Sequence, residues 1–295
     1  MVISTGPSIR AAVRVINQNS CGSGAIVGRA NGGIYILTNA HVAGTKIGRV
    51  VKFDCVVNGE TKRFSAKVIM AAYNDKYQTD WAILFCEEDP GIEPVKLSTK
   101  RPSGSHYTHG SPRCVWPQVG TDVTTKDMAD NKPLWRWTPN SIGGQSGSGV
   151  WSDTDHLQYG LLTWSWGGYG AGQMTAEIRR QAINQTDVGH VKIPGMIEVG
   201  LQPHGENVDD VDEPEVQPGF YAEASIADLP IWHTDEAPPP PPPPPGDLSE
   251  MQKLLVELFK ELDEWQAKWR AKLGVKDEPP GVPPVFGGRG GTFGL

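Results

Sequence analysis

Long apolar runs are missing from these 295 residues, and cysteine is scarce, with four in all at positions 21, 55, 86 and 114. No stretch approaches the roughly 20 apolar residues that a membrane-spanning helix needs. Four cysteines in so long a chain do not make a disulfide framework, so reduced, buried thiols are expected. The first residues, Met1-Val-Ile-Ser-Thr-Gly-Pro-Ser, lack a basic segment followed by an apolar one, so no signal peptide is visible. The expectation is a cytoplasmic protein or one released from a precursor. Basic charge is also short. Residues 1–200 carry 20 Lys and Arg against 16 Asp and Glu (+4), and residues 201–295 carry 7 against 18 (−11). No basic stripe exists for nucleic acid, and an acidic tail repels it. His106-x-x-His109 with Cys114 nearby lacks a fourth ligand, so neither a metal nor a cofactor is expected.

What is present in the first 200 residues is a series of short β-prone runs with tight turns and almost no helical periodicity. Strands are expected near 10–16, 24–29, 49–57, 61–70 and 81–86, with hairpin signals at Asn31-Gly32 and Asn58-Gly59. A Pro/Gly/Ser-rich crossing at 98–112 leads to further runs near 113–119, 134–138, 148–152 and 158–166. Met174–Asn184 has the apolar spacing of a closing helix. The class is all-β, as small antiparallel barrels.

Three residues in this frame carry chemistry. Ser146 lies among glycines in Gly143-Gly-Gln-Ser-Gly-Ser148, where a tight turn can aim consecutive N–H groups at one spot beside its hydroxyl. A hydroxyl attacks a carbonyl only when a base takes its proton and donors stabilise the oxyanion. His41 follows the run Ile34–Leu37 at a strand end, a rigid place from which to present a base. Asp80 stands immediately ahead of the apolar run Trp81–Cys86, where a buried carboxylate needs a donor such as an imidazole N–H. Asp75 is the alternative acid, in a polar stretch that faces water.

The order His, Asp, Ser, with Thr38-Asn-Ala-His41, Asp80-Trp-Ala-Ile-Leu84 and Gly144-Gln-Ser-Gly-Ser148, resembles the chymotrypsin-like (trypsin-fold) serine peptidases. Their glutamyl-endopeptidase-like and HtrA-like bacterial branches are the nearest, and the resemblance covers about residues 8–195. It implies two antiparallel six-stranded barrels, about 8–97 and 106–195, with the active site between them. It implies a nucleophile at Ser146, a proton shuttle at His41, an orienting acid at Asp80 and an oxyanion hole at the N–H groups of Gly144 and Ser146. Ser165-Trp166-Gly167 resembles the segment with which the family pairs a substrate strand, and Asn140 and Ser141 fall where its specificity pocket has its base. Neither of those carries charge, which favours a neutral residue before the scissile bond. Gln145 replaces the acid that activates many relatives after zymogen cleavage, so the enzyme is expected to be competent as made. Val42 after His41 removes the family's usual cysteine bridge there.

Past this peptidase region (1–200) comes an acidic and polyproline linker, 201–246. Residues 205–236 hold ten acids and no Lys or Arg, a composition that stays extended and solvated. The eight prolines at 238–245 form a stiff spacer of about 25 Å at ~3.1 Å per residue. At 247–273 an amphipathic helix is expected on that disordered, Pro-rich linker. Leu248, Met251, Leu255, Leu258, Leu262, Trp265 and Trp269 make a heptad seam suited to a homo-oligomer or a protein partner. Residues 274–295 read as a disordered tail. The function expected is a serine endopeptidase acting on polypeptides. Two alternatives use the same fold: a catalytically silent peptide-binding scaffold, and a viral protease that processes its own polyprotein.

Overall fold

The computed structural model describes residues 7–30, 32–101, 106–127, 134–189, 191–203, 215–223 and 229–233. After a short helix, α1 (Pro7–Ala11), come β1 (Ala12–Asn17), β2 (Ser20–Ala30), β3 (Gly33–Thr38), β4 (Val50–Val57), β5 (Glu60–Asn74) and β6 (Thr79–Cys86). They pair in the order β1-β4-β5-β6-β3-β2, and β1 pairs with β2 to close a six-stranded barrel. The β4–β5 hairpin turns on Asn58 and Gly59, both left-handed at φ 53° and 83°. Two successive positive φ values match the strands' own twist, which is why Asn-Gly occupies the turn.

A second antiparallel sheet holds β7 (His106–Gly110), β8 (Val119–Asp127), β9 (Leu134–Thr138), β10 (Gly149–Ser152), β11 (Gln158–Trp166) and β12 (Tyr169–Met174). Its order is β10-β7-β8-β9-β12-β11, with β10 and β11 also paired. The expected strand at 113–119 is absent as drawn. Pro112 and Pro117 interrupt that stretch, and Pro112–Cys114 is a 3-10 turn. Proline cannot donate to a ladder, so the strands form on either side of it. Trp135, Trp137, Val150 and Leu162 fill the second core, while Val13, Ile26, Ile36, Phe53, Val68 and Ile83 fill the first. The fold is chymotrypsin-like, mostly β, with α2 (Ala40–Ala43) after β3 and α3 (Thr175–Asn184) closing the second sheet.

The thiol expectation needs correcting for two of the four cysteines. Cys21 on β2 and Cys114 in the 3-10 turn form a disulfide with Cα atoms 5.8 Å apart, while Cys55 and Cys86 are free and buried. The bridge escapes a reading based on spacing because its halves lie 93 residues apart and meet only where the two barrels abut.

Parts of residues 201–233, expected to be an extended, solvated linker from their acidic composition, are built into the fold. After β13 (Met196–Glu198), β14 (Gln202–Pro203) pairs with β2 and β15 (Gly219–Ala222) pairs with β5. Ile231 and Trp232 are buried against the first core. Their acidic neighbours mask this apolar content when charge is averaged over the stretch. The chain divides into two compact units, Met1–Thr234 and Asp235–Leu295. The polyproline run, the helix expected at 247–273 and the tail at 274–295 lie outside the described residues. Among the described residues no helix is long and apolar enough to cross a membrane.

Closing a 93-residue loop removes enough freedom from the unfolded chain to stabilise the fold by about 4–5 kcal/mol. Reduction, or the double change Cys21→Ser with Cys114→Ser, should lower Tm by on the order of 10 °C in a calorimetric scan. An unchanged Tm would show that the bridge does not form.

Candidate functional site

Pairing of β3 with β6 sets Thr38 opposite Ala82, so the end of one strand and the start of the other are neighbours. The turn after β3 enters α2, which carries His41, and Asp80 is the second residue of β6. The two side chains therefore meet without help from distant loops. Asp80 Oδ2 lies 2.5 Å from His41 Nδ1, and Oδ1 accepts the His41 backbone N–H at 3.0 Å. The carboxylate is almost wholly buried and uses both oxygens on one residue.

Ser146 comes from the tight turn ahead of β10. Gly144 and Gly147 flank it at φ 84° and 87°, and a Cβ on Gly147 would fall 2.0 Å from the Ser23 carbonyl. Glycine is required there by conformation and by space alike. The Ser23 N–H donates to the Ser146 carbonyl at 2.6 Å, tying the turn to the first barrel. Ser146 Oγ–H donates to the Val199 carbonyl oxygen, and His41 Nε2 lies 3.1 Å from that same oxygen. Gly144 N–H donates to the Gly200 carbonyl at 3.2 Å.

Acceptors on both sides of the ring call for a proton on both nitrogens of His41, the imidazolium form. Burial pulls the imidazole down, but the charge and hydrogen bond of Asp80, the charge of Glu198 and the Val199 carbonyl outweigh it. Together they hold His41 at about 9. The Glu198 carboxylate stands 3.7 Å from Nδ1 and accepts the Tyr73 hydroxyl at 3.4 Å. Burial, then the nearby Asp80, push this carboxyl above its ordinary range, while His41 pulls it back.

Asp75, the alternative acid, is exposed and paired with Lys192 at 2.6 Å. Ser165 and Trp166 lie on the edge of β11 opposite Ile197 and Met196. Ser165 Oγ donates to Asn140 Oδ1 at 2.7 Å, and Trp166 Nε1 donates to the Pro194 carbonyl at 3.2 Å. Ser141 is buried beside Gly170, where a Cβ would fall 2.5 Å from the Ser141 hydroxyl. Gly167 sits in the β11–β12 turn beyond the paired residues. The backbone pairing nearest the nucleophile is carried by Thr163 and Trp164, opposite Val199 and Glu198. Thr163-Trp164-Ser165 repeats the hydroxyl-tryptophan-small pattern two residues earlier, and that repeat is the signal that could have found it.

His106 packs edge-on against Trp135 at 4.9 Å, and His109 lies 5.6 Å from Trp151. Cys114 is bonded to Cys21, so it offers no thiolate to a metal. Among the described residues one cluster of metal-ligating types occurs, His41, Asp80 and Glu198. Within it, His41 Nδ1 faces Asp80 and Nε2 faces the Val199 carbonyl.

Residues 22–161 match the family model described as the trypsin-like peptidase domain. No curated protein matches the chain significantly. Solved structures that resemble it include the protease Anisep from Arthrobacter nicotinovorans, at 17% identity and TM-score 0.43 over 57% of this chain and 91% of that one. A serine endoprotease from Yersinia pestis is 23% identical, with TM-score 0.45 over 59% of this chain and 62% of its own. The MamO protease domain from Magnetospirillum magneticum is 17% identical, with TM-score 0.44 over 58% and 95%.

His41 has a folded-state pKa above its unfolded value of 6.5. Its contribution to stability is therefore fully present below pH 6.5 and is lost as pH rises through about 9. Glu198→Gln removes one negative neighbour and should move the His41 pKa downward. An NMR titration of the His41 ring in Ser146→Ala, with and without Glu198→Gln, reads this directly, and an unshifted midpoint would exclude the Glu198 contribution.

Proposed function

We propose, from the match of residues 22–161 to a trypsin-like peptidase domain, that the chain is a serine endopeptidase acting through His41, Asp80 and Ser146. The observation that carries this reading is the convergence of Ser146 Oγ and His41 Nε2 on one carbonyl oxygen, with Asp80 holding Nδ1. In the proposed cycle a neutral His41 accepts the Ser146 proton as Oγ bonds to the carbonyl carbon. Asp80 fixes the ring and stabilises the imidazolium that forms. The N–H groups of Gly144 and Ser146 receive the oxyanion, and the leaving amine takes the proton from His41. Water then hydrolyses the acyl-enzyme.

A polypeptide substrate adds as a strand to the β11 edge at Thr163–Trp166 through backbone hydrogen bonds, with alternate side chains entering pockets. Asn140 and Ser141 bring no charge near that edge, which supports a neutral residue before the cut. The heptad seam between Leu248 and Trp269 is proposed as a self-association surface on sequence pattern alone. A silent scaffold on this fold has less to support it, because all three reactive residues are present and adjacent.

Ser146→Ala should lower peptide turnover by several powers of ten while leaving the fold intact by circular dichroism. Asp80→Asn should cost about 10⁴-fold, the price of the wrong imidazole tautomer. Asp75→Asn is the control and should leave turnover within about twofold, since exposed ion pairs are weak. Equal losses at the two aspartates would reassign the acid. Truncation after residue 236 should lower the oligomer mass in light scattering without abolishing turnover, and an unchanged mass would retire the self-association surface.

A further inference from the structure

Residues 196–203 cross the cleft from one barrel to the other. On the second barrel Met196, Ile197 and Glu198 pair antiparallel with Trp166, Ser165 and Trp164, and the Val199 N–H donates to the Thr163 carbonyl at 2.9 Å. On the first barrel Gln202 and Pro203 pair with Cys21 and Ser20 of β2. Between these two ladders the Val199 carbonyl lies on Ser146 and His41, and the Gly200 carbonyl lies on the Gly144 N–H. A bound substrate has to lie in just this way, extended, paired on both sides and with one peptide bond at the nucleophile. The Val199 side chain is buried in the apolar cluster of Trp135, Trp137 and Leu162. Ser146 itself is fully buried, so no second chain reaches it while this strand is in place.

We propose that the Val199–Gly200 peptide bond is a substrate of this site, cut once within the same molecule. The proposal rests on the peptidase reading above. In the structure the Val199 oxygen faces Ser146 Oγ. The proposed cut requires the 199–200 peptide plane to turn, so that this oxygen displaces the Gly200 carbonyl from the Gly144 N–H, takes the Ser146 N–H as well, and leaves the carbon facing Oγ. The Ser146 oxygen then bonds to the Val199 carbonyl carbon, and its proton passes to neutral His41. The C–N bond breaks, and the Gly200 nitrogen leaves as an amine carrying that proton. Water attacks the Val199 ester, a Val199 carboxylate is released, and the serine hydroxyl is restored. The new fragment beginning at Gly200 does not fall away, because β14, β15, Ile231 and Trp232 hold it to the first barrel.

Intact-mass measurement on the full chain tests this. Freshly expressed wild type should give two pieces in denaturant, one ending at Val199 and one beginning at Gly200, that run together on gel filtration in native buffer. The rate should not change on hundredfold dilution. Ser146→Ala should stay whole, and Gly200→Pro should be cut at least a hundredfold more slowly. A Cβ at position 200 meets nothing within 4 Å. The peptidase reading is assayed apart, by fluorophosphonate labelling and by turnover of a synthetic peptide copying residues 194–205. Ile197→Pro serves there as well, since it removes a donor from β13 and opens the cleft. A whole wild-type chain whose Ile197→Pro variant labels or cuts the peptide keeps the peptidase and overturns self-cleavage. A cut at Gly200–Leu201 overturns the register. A whole chain with no labelling in either form overturns both.

Discussion

The burial of one carboxylate organises the centre of this molecule. Asp80 is nearly inaccessible, and a charge so placed persists only if its surroundings pair it. Its oxygens take two N–H groups of His41, and its backbone is held as closely. Asn39 Nδ2 donates to the Asp80 carbonyl and to Thr163 Oγ1, while the Asp80 N–H donates to Gln173 Oε1. Gln173 and Trp81 both donate to Gln181 Oε1, and Gln181 Nε2 donates to Thr79. Residues 79–81 of the first barrel are thereby bonded to β11, β12 and α3 of the second half. Satisfying one buried acid thus joins the barrels along the line where the imidazole must stand.

The nucleophile turn is held by a second junction with different means. Gly22 and Ser23 of β2 pass so close that a Cβ on Gly22 would meet Val42 at 2.7 Å and the Ser146 carbonyl at 3.1 Å. Ser23 donates its hydroxyl to the Gly144 carbonyl, accepts the Ser111 N–H on that hydroxyl, and accepts Thr38 Oγ1 on its carbonyl. The Cys21–Cys114 bridge fixes the same two stretches covalently. Cys21-Gly-Ser-Gly, within β2, is therefore the seat of the Ser146 turn.

The local parts of this design were legible before any coordinates. Asn58-Gly59, the apolar run after Asp80 and the glycines around Ser146 each express a short-range constraint, and each lies where that constraint puts it. Contacts between distant stretches were not legible. Cys114 could not be matched to Cys21 without the barrels, and Thr163 could not be preferred to Ser165 without the register of β11. Ile231 and Trp232 were hidden by acidic neighbours, because averaged charge says nothing about two apolar side chains that find a groove. Val199 and Glu198 carried no motif at all, since their importance comes only from where the strand lies.

That strand links geometry to protonation. By covering Ser146 it closes the cleft, and by placing Glu198 and the Val199 carbonyl beside His41 it favours the imidazolium, which cannot accept a proton. Both effects come from the same few residues, so they are relieved together when β13 leaves. Loss of the Glu198 charge and of the Val199 acceptor removes two of the influences that raise the His41 pKa, and Asp80 remains as its ion partner. With the Val199 oxygen on Nε2 the ring is held as a poor base; turning the 199–200 peptide plane for the proposed cut, or withdrawing β13, takes that acceptor away.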